Sequence, residues 1–360
     1  MSTGLAGTCN GLGDSGRRSA ILATIPTGNV QHPEIFIVGA PRSGTTLLRN
    51  MLNRHPRLAI CYETQFFRYV FARRWAFGDL SDPKNRRRLI AEYISTHRIQ
   101  RLGMNAADLE ERLMREGVSY EAFFASLLAC YAGSEGKARW GEKTPHHARF
   151  AELLCKWYPG ANILHLVRDP RDVVAALQRV QWASNSVLTN ARTWLTYNLA
   201  ASQSSHRPGY IQIRYETLVN QPDVELARIC EHLGERYHPS MLIGDNEKVR
   251  FRSWSQRSGS EVTNERIGAW QDELSEDSVR LIDHVVGEQG ARYGYARTSG
   301  TASHWAVTQG FLVAGLEALR LRANRLPASL WHLIHPTKLS KEELLFYGGL
   351  RANSLERNQG

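Results

Sequence analysis

Residues 39–46 read GAPRSGTT and follow the apolar run EIFIVG (34–39). A buried strand that runs into a glycine-containing turn, with a helix starting near Thr45, aims successive backbone N–H groups and the positive end of a helix dipole at an anion. Gly39 and Gly44 permit the tight turn. Ser43, Thr45 and Thr46 add hydroxyl donors, and Arg42 adds a planar fork suited to phosphate or sulfate oxygens. The glycine spacing matches the Walker loop GxxxxGK[ST], but Thr45 stands where that loop has its lysine. That lysine reaches the β/γ-phosphates, so a P-loop nucleotide kinase or NTPase is disfavoured. A shorter, metal-independent anion is expected, and the sequence shows no carboxylate cluster with magnesium spacing.

Further chemistry-bearing residues fall at or just after the ends of expected strands, three of them apolar runs and the fourth the stretch ARWGEK. Glu63 follows RLAIC (57–61), Lys143 ends ARWGEK (138–143), Arg168 follows ANILHLV (161–167) and Tyr215 ends YIQIRY (210–215). Ligands of open α/β sheets bind at the carboxyl edge, where all of these residues would then gather. The strand before Glu63 is expected to neighbour the strand that enters the phosphate loop. Each residue also has a plainer explanation. Lys143 could be a surface lysine, Arg168 could pair with Asp169 or Asp172, and Tyr215 could be a core aromatic. Glu63 could merely complement the dipole of a helix beginning near Thr64. His146 and His147, after Pro145 and near Lys143, rival Glu63 as the base. His55 is explained by capping, and His165, inside an apolar run, reads as a core histidine.

Amphipathic stretches of helical length separate these runs: TTLLRNMLN, HARFAELLCKWYP, DVVAALQRV and DVELARICEHLG. Alternation of strand and helix predicts an α/β fold of P-loop, three-layer type with a mainly parallel sheet. Residues 66–135 break the rhythm and read as a helical insertion (PKNRRRLIAEYISTH, AADLEERLMREG and SYEAFFASLLACY) that would cover an acceptor pocket. The basic run Lys84, Arg86, Arg87 and Arg88 reads as a solvated helix face. Residues 251–266 are polar and basic, and form either a closing lid or a plain loop. The expected organisation is a flexible tail (1–32), a catalytic domain (33–297), and a linker with a helical extension (298–360). Within the extension, 304–323 would pack on the domain or a second subunit, with a membrane-surface contact as the alternative.

The motifs resemble, in order, those of the PAPS-dependent sulfotransferases, where PAPS is 3′-phosphoadenosine 5′-phosphosulfate. PRSGTTLL (41–48) resembles the 5′-phosphosulfate loop. LVRDPRDVV (166–174) resembles the segment whose arginine, here Arg168, contacts the 3′-phosphate. RYETLVNQP (214–222) resembles the segment whose tyrosine, here Tyr215, lies near the adenine. GEKTPHH (141–147) is similar to a segment of the bacterial and tyrosylprotein sulfotransferases, and NERIGAW (264–270) is similar to their closing loop. Glu63 lies 21 residues after Arg42, the spacing of the glutamate base proposed for the tyrosylprotein enzymes. The resemblance implies transfer of a sulfuryl group from PAPS to an acceptor hydroxyl or amine by in-line displacement. Arg42, Lys143 and Glu63 would be catalytic. Arg42, Ser43, Gly44, Thr45, Thr46, Arg168 and Tyr215 would hold the donor, and no metal would take part. The alternative to an enzyme is a non-catalytic nucleotide-binding protein of the same fold. One departure is Ala176, where the family usually has a serine sharing the 3′-phosphate. That contact is then either missing or supplied elsewhere, by Arg171, Arg179 or the basic loop near Arg257 and Arg266.

Composition permits this without specifying it. The net charge of +10 suits polyanionic ligands, and no nucleic-acid motif accompanies it. Five scattered cysteines without zinc spacing, and a start that lacks a secretory pattern, predict a reducing, cytoplasmic setting. Carbohydrate, lipid, small phenol and peptide acceptors all stay open, as does the oligomeric state.

Overall fold

The computed structural model describes residues 34–242, 266–298, 300 and 308–316. The expected tail (1–32), residues 251–265 of the expected lid and most of the C-terminal extension lie outside the described residues.

Strands β1 (Ile35–Gly39), β2 (Leu58–Tyr62), β3 (Arg139–Lys143), β4 (Asn162–Val167) and β5 (Tyr210–Arg214) form one sheet in the order β2-β3-β1-β4-β5. Every neighbouring pair is parallel. Parallel sheets are covered on both faces, which explains the near-continuous apolar runs. Along β1, Phe36 and Val38 enter one core while Ile35 and Ile37 enter the other. Helices α1 (Thr45–Asn53) and α9 (Pro222–Leu233) cover the second face through Leu48, Met51, Leu52, Leu226 and Ile229. The first face is covered by α5 (Ala151–Trp157), α6 (Pro170–Gln178) and α7 (Val187–Ser202). The expected three-layer α/β class is what the chain forms. Tyr215 does not end β5 as expected; it opens the short α8 (Tyr215–Asn220).

The insertion contains α2 (Pro83–Ile94), α3 (Ala106–Glu116) and α4 (Tyr120–Ser134). Each starts where a side chain caps it: Asp82, Asn105 and Ser119 accept from Lys84 N, Ala107 N and Ala122 N. Leu89, Leu109 and Phe123 bury into the same core as Phe36, so the insertion packs on the sheet itself. The basic run on α2 is not wholly solvated. Arg86 is buried, donating to Leu80 O at 3.0 Å and lying 3.4 Å from Glu110. Within the C-terminal extension, residues 308–316 are helical, and Arg192 stacks on Phe311. Among the described residues no helix is long and apolar enough to cross a membrane.

The sheet order corrects one expectation. β2 does not neighbour β1, because β3 lies between them and pairs with both. Gly141 makes that fit possible. A Cβ there would lie 2.7 Å from both Ile35 O and Ile60 Cδ1. Gly141→Ala is therefore expected to lower unfolding stability by about 1–3 kcal/mol through overpacking, read as a fall in the urea midpoint. A midpoint equal to wild type would contradict this packing.

Candidate functional site

The chain leaves β1 toward β2 and leaves β4 toward β5, so the carboxyl ends of these adjacent strands open a crevice. The Gly39–Thr46 loop lies at one lip. Arg42 and Gly44 hold left-handed backbone, with φ of 70° and 95°. At Gly44 the requirement is also steric, since a Cβ would stand 2.4 Å from Tyr215 Cδ2. α1 begins with no side-chain cap and no acidic residue in its first turn, so its first N–H groups and dipole are left to an anion. Ser43 is fully buried, and its Oγ and Arg42 Nε are buried without a hydrogen-bond partner. Burial pulls the Arg42 guanidinium below its ordinary value, and the charges of Arg179, Arg168 and Arg266 pull the same way. Such crowding of cations is relieved by an anion.

Arg168 follows β4. Its guanidinium stacks on the Tyr215 ring at 4.3 Å, donates to Arg42 O at 3.4 Å and to Arg266 O, and lies 3.6 Å from Asp172. Its Nε is buried without a partner. Trp194, fully buried on α7, donates from Nε1 to Arg168 O at 2.9 Å and fixes the backbone there. Asp172 accepts from Gly268 N at 3.0 Å and Trp270 N at 3.1 Å, which ties the described end of the closing segment to Arg168. Ala176 is buried on α6. Among the residues expected to replace a serine there, Arg171 is held bidentately by Asp169 at 2.9 and 2.6 Å. Arg179 pairs with Glu273, Arg266 lies 3.6 Å from the same carboxylate, and Arg257 lies outside the described residues.

The other half of the site joins β2, β3 and α1. Lys143 is fully buried; its Nζ donates to Glu63 Oε1 at 2.6 Å and to Thr46 Oγ1 at 3.2 Å, and sits 4.2 Å from the Tyr62 ring centre. It is not the surface lysine of the plainer explanation. Glu63 continues the β2–β3 ladder through its N–H to Lys143 O at 2.9 Å. Its Oε2 lies 3.4 Å from Gln65 Nε2 and 3.7 Å from Arg98 Nη1. Burial pushes the Glu63 carboxyl up, but Lys143 and then Arg98 outweigh it and hold the group below its ordinary value. Burial also pulls Lys143 down, against the pull of Glu63. Of the rival bases, His146 bonds to the Tyr197 hydroxyl and is pushed by burial to about 3. His147 is buried, with Nδ1 3.0 Å from Glu142 Oε2. Tyr62 and Trp194 were not singled out from sequence, and Asp172 was named there only as a possible partner of Arg168, from which it lies 3.6 Å.

The fold is α/β, and the carboxyl-edge crevice gathers the buried Arg168 and Lys143 beside the Gly39–Thr46 loop. The profile of the sulfotransferase family matches residues 33–239, and the chain belongs to that family. Protein-tyrosine sulfotransferase 2 of Gallus gallus is 28% identical over 281 residues, covering 73% of this chain and 69% of that protein. Nodulation protein NoeE of Sinorhizobium fredii is 27% identical over 282 residues, covering 70% of this chain and 63% of that protein. The sulfotransferase domain from the curacin biosynthetic pathway has a similar fold, with a TM-score of 0.50 at 19% identity, covering 75% of this chain and 100% of that domain.

Proposed function

We propose that the chain transfers a sulfuryl group from PAPS to an acceptor hydroxyl, with Glu63 as general base, and that the acceptor is a peptide tyrosine. The observation that carries this is the meeting of Lys143 with both Glu63 and Thr46 of the anion loop, at 2.6 and 3.2 Å. The names of relatives such as the Gallus gallus protein favour tyrosine over the other acceptors left open by sequence. The buried, unpartnered Ser43 Oγ, Arg42 Nε and Arg168 Nε suit the anionic ends of this donor.

Bound PAPS supplies a sulfuryl group already activated on a phosphate leaving group. The loop N–H groups, Ser43, Thr45 and Thr46 would hold the 5′-phosphosulfate, and Arg168 with Tyr215 the 3′-phosphoadenosine. Arg42 and Lys143 neutralise charge as the old S–O bond breaks and the acceptor oxygen bonds to sulfur. Glu63 Oε1 is committed to Lys143, so Oε2 takes the acceptor proton. None of these roles calls for a metal. The free Cys61, Cys130, Cys155 and Cys230 suit a reducing, cytoplasmic setting.

Adenosine 3′,5′-bisphosphate, the product nucleotide, is expected to raise the melting temperature, and ATP with magnesium to raise it much less. Equal stabilisation would return the P-loop kinase or NTPase to first place. Arg168→Ala should weaken adenosine 3′,5′-bisphosphate by roughly 1.5–3 kcal/mol relative to AMP, because only the former has the phosphate assigned to Arg168. Calorimetric titration with both nucleotides measures this. Equal losses would make Arg168 a purely structural partner of Asp172 and Tyr215.

A further inference from the structure

Glu142 lies on β3, one residue before Lys143, and is 1% exposed. Side chains alternate along a strand, so its carboxylate enters the face opposite the lysine. Oε1 accepts from Thr64 N at 3.0 Å, from Thr64 Oγ1 at 2.9 Å and from Thr144 Oγ1. Oε2 faces His147 Nδ1 at 3.0 Å. Thr64 is the residue after Glu63, and Thr144 the residue after Lys143. One buried carboxylate therefore grips the chain immediately beyond both members of the catalytic pair, on two separate strand ends.

The gripped turn is held from other sides too. Tyr93 Oη donates to Thr64 O at 2.9 Å, and Phe66 N to Thr64 Oγ1 at 3.2 Å. Gln65, between them, adopts a left-handed φ of 54°, which a side-chain-bearing residue keeps only where its surroundings enforce it. A buried carboxylate is costly, and well-packed apolar residues often stabilise a core as well or better. Packing alone is therefore a weak reason for a charge at this place.

We propose that Glu142 is a positioning residue: by holding Thr64 and Thr144 together it sets the separation of Glu63 from Lys143, and it supports transfer without touching donor or acceptor. This rests on the assignment of Glu63 and Lys143 to the chemistry. Glu142→Gln keeps the volume and one acceptor oxygen but loses the charge; Thr64→Val removes one donor to it and serves if Glu142→Gln does not fold. Crystal structures of wild type and variant, turnover of PAPS with a tyrosine peptide, and affinity for adenosine 3′,5′-bisphosphate are compared.

The variants should open the Glu63–Lys143 contact beyond 2.6 Å. They should lower kcat by about 10–10²-fold, the effect of a misplaced catalytic group, with KM and nucleotide affinity unchanged. In the Glu63→Gln background, Glu142→Gln should cost little more, because both act on one unit. An unchanged contact, an unchanged kcat, a fully additive loss or a parallel loss of nucleotide affinity would overturn the proposal. A wild-type enzyme that transfers nothing from PAPS would instead overturn the functional assignment, and the crystallographic separation would still decide what Glu142 holds.

Discussion

Glu63→Gln is expected to bind adenosine 3′,5′-bisphosphate normally and to lose sulfuryl transfer by about 10²–10⁴-fold, the usual weight of general-base catalysis. The amide keeps the shape and one oxygen for Lys143 but cannot accept the acceptor's proton. In the native protein Lys143 and Arg98 hold the Glu63 carboxyl below its ordinary value against the opposing effect of burial. The group is then ionised throughout the neutral range, and kcat/KM should fall only as pH drops below the ordinary carboxylate value of ~4.3. An acid limb near the ordinary histidine value of ~6.5 would point elsewhere. His146→Ala should have the smaller effect, since that ring is engaged by Tyr197. Normal turnover by Glu63→Gln, with transfer lost in His146→Ala or His147→Ala, would make the base a histidine.

Lys143→Met should lower kcat by about 10²–10³-fold, the loss that follows removal of one preorganised donor to developing charge. Methionine fills much of the same volume, and nucleotide affinity should change far less than kcat, because Arg42, Ser43 and Arg168 remain. The variant should also carry a second signature. Without Lys143, Glu63 keeps the burial that raises its pKa and loses the partner that most lowers it. The acid limb of the residual activity should therefore move to higher pH. A limb that stays in place, or moves down, would separate Lys143 from Glu63 and contradict the pairing.

The parts of the fold that obey local rules were legible in the sequence. The turn from β1 into α1 was expected near Thr45, where the helix does begin, because glycine and hydroxyl positions fix such a loop. The insertion helices were legible as the stretches PKNRRRLIAEYISTH, AADLEERLMREG and SYEAFFASLLACY, and the structure adds the caps Asp82, Asn105 and Ser119. By contrast, α7 was not anticipated; Asn190 and Asn198 are buried on it and interrupt its apolar stripe. The position of β3 was also hidden. A strand inside a parallel sheet usually reads as an apolar run, whereas RWGEK carries three charged residues and a glycine. Those same departures are what the site uses: the glycine lets β3 between its neighbours, Lys143 reaches the anion loop, and Glu142 grips the turns. Sequence could nominate Glu63 and Lys143 separately, but their contact, across 80 residues of chain, follows only from the strand order.

The most direct test is mass spectrometry of the products after purified protein is incubated with PAPS and a tyrosine peptide, without added metal. The account predicts a peptide heavier by one SO₃ unit on its tyrosine, together with an equal amount of adenosine 3′,5′-bisphosphate, and neither product above background from Glu63→Gln. Unmodified peptide with intact PAPS, or a modified peptide formed equally well by Glu63→Gln, would contradict it.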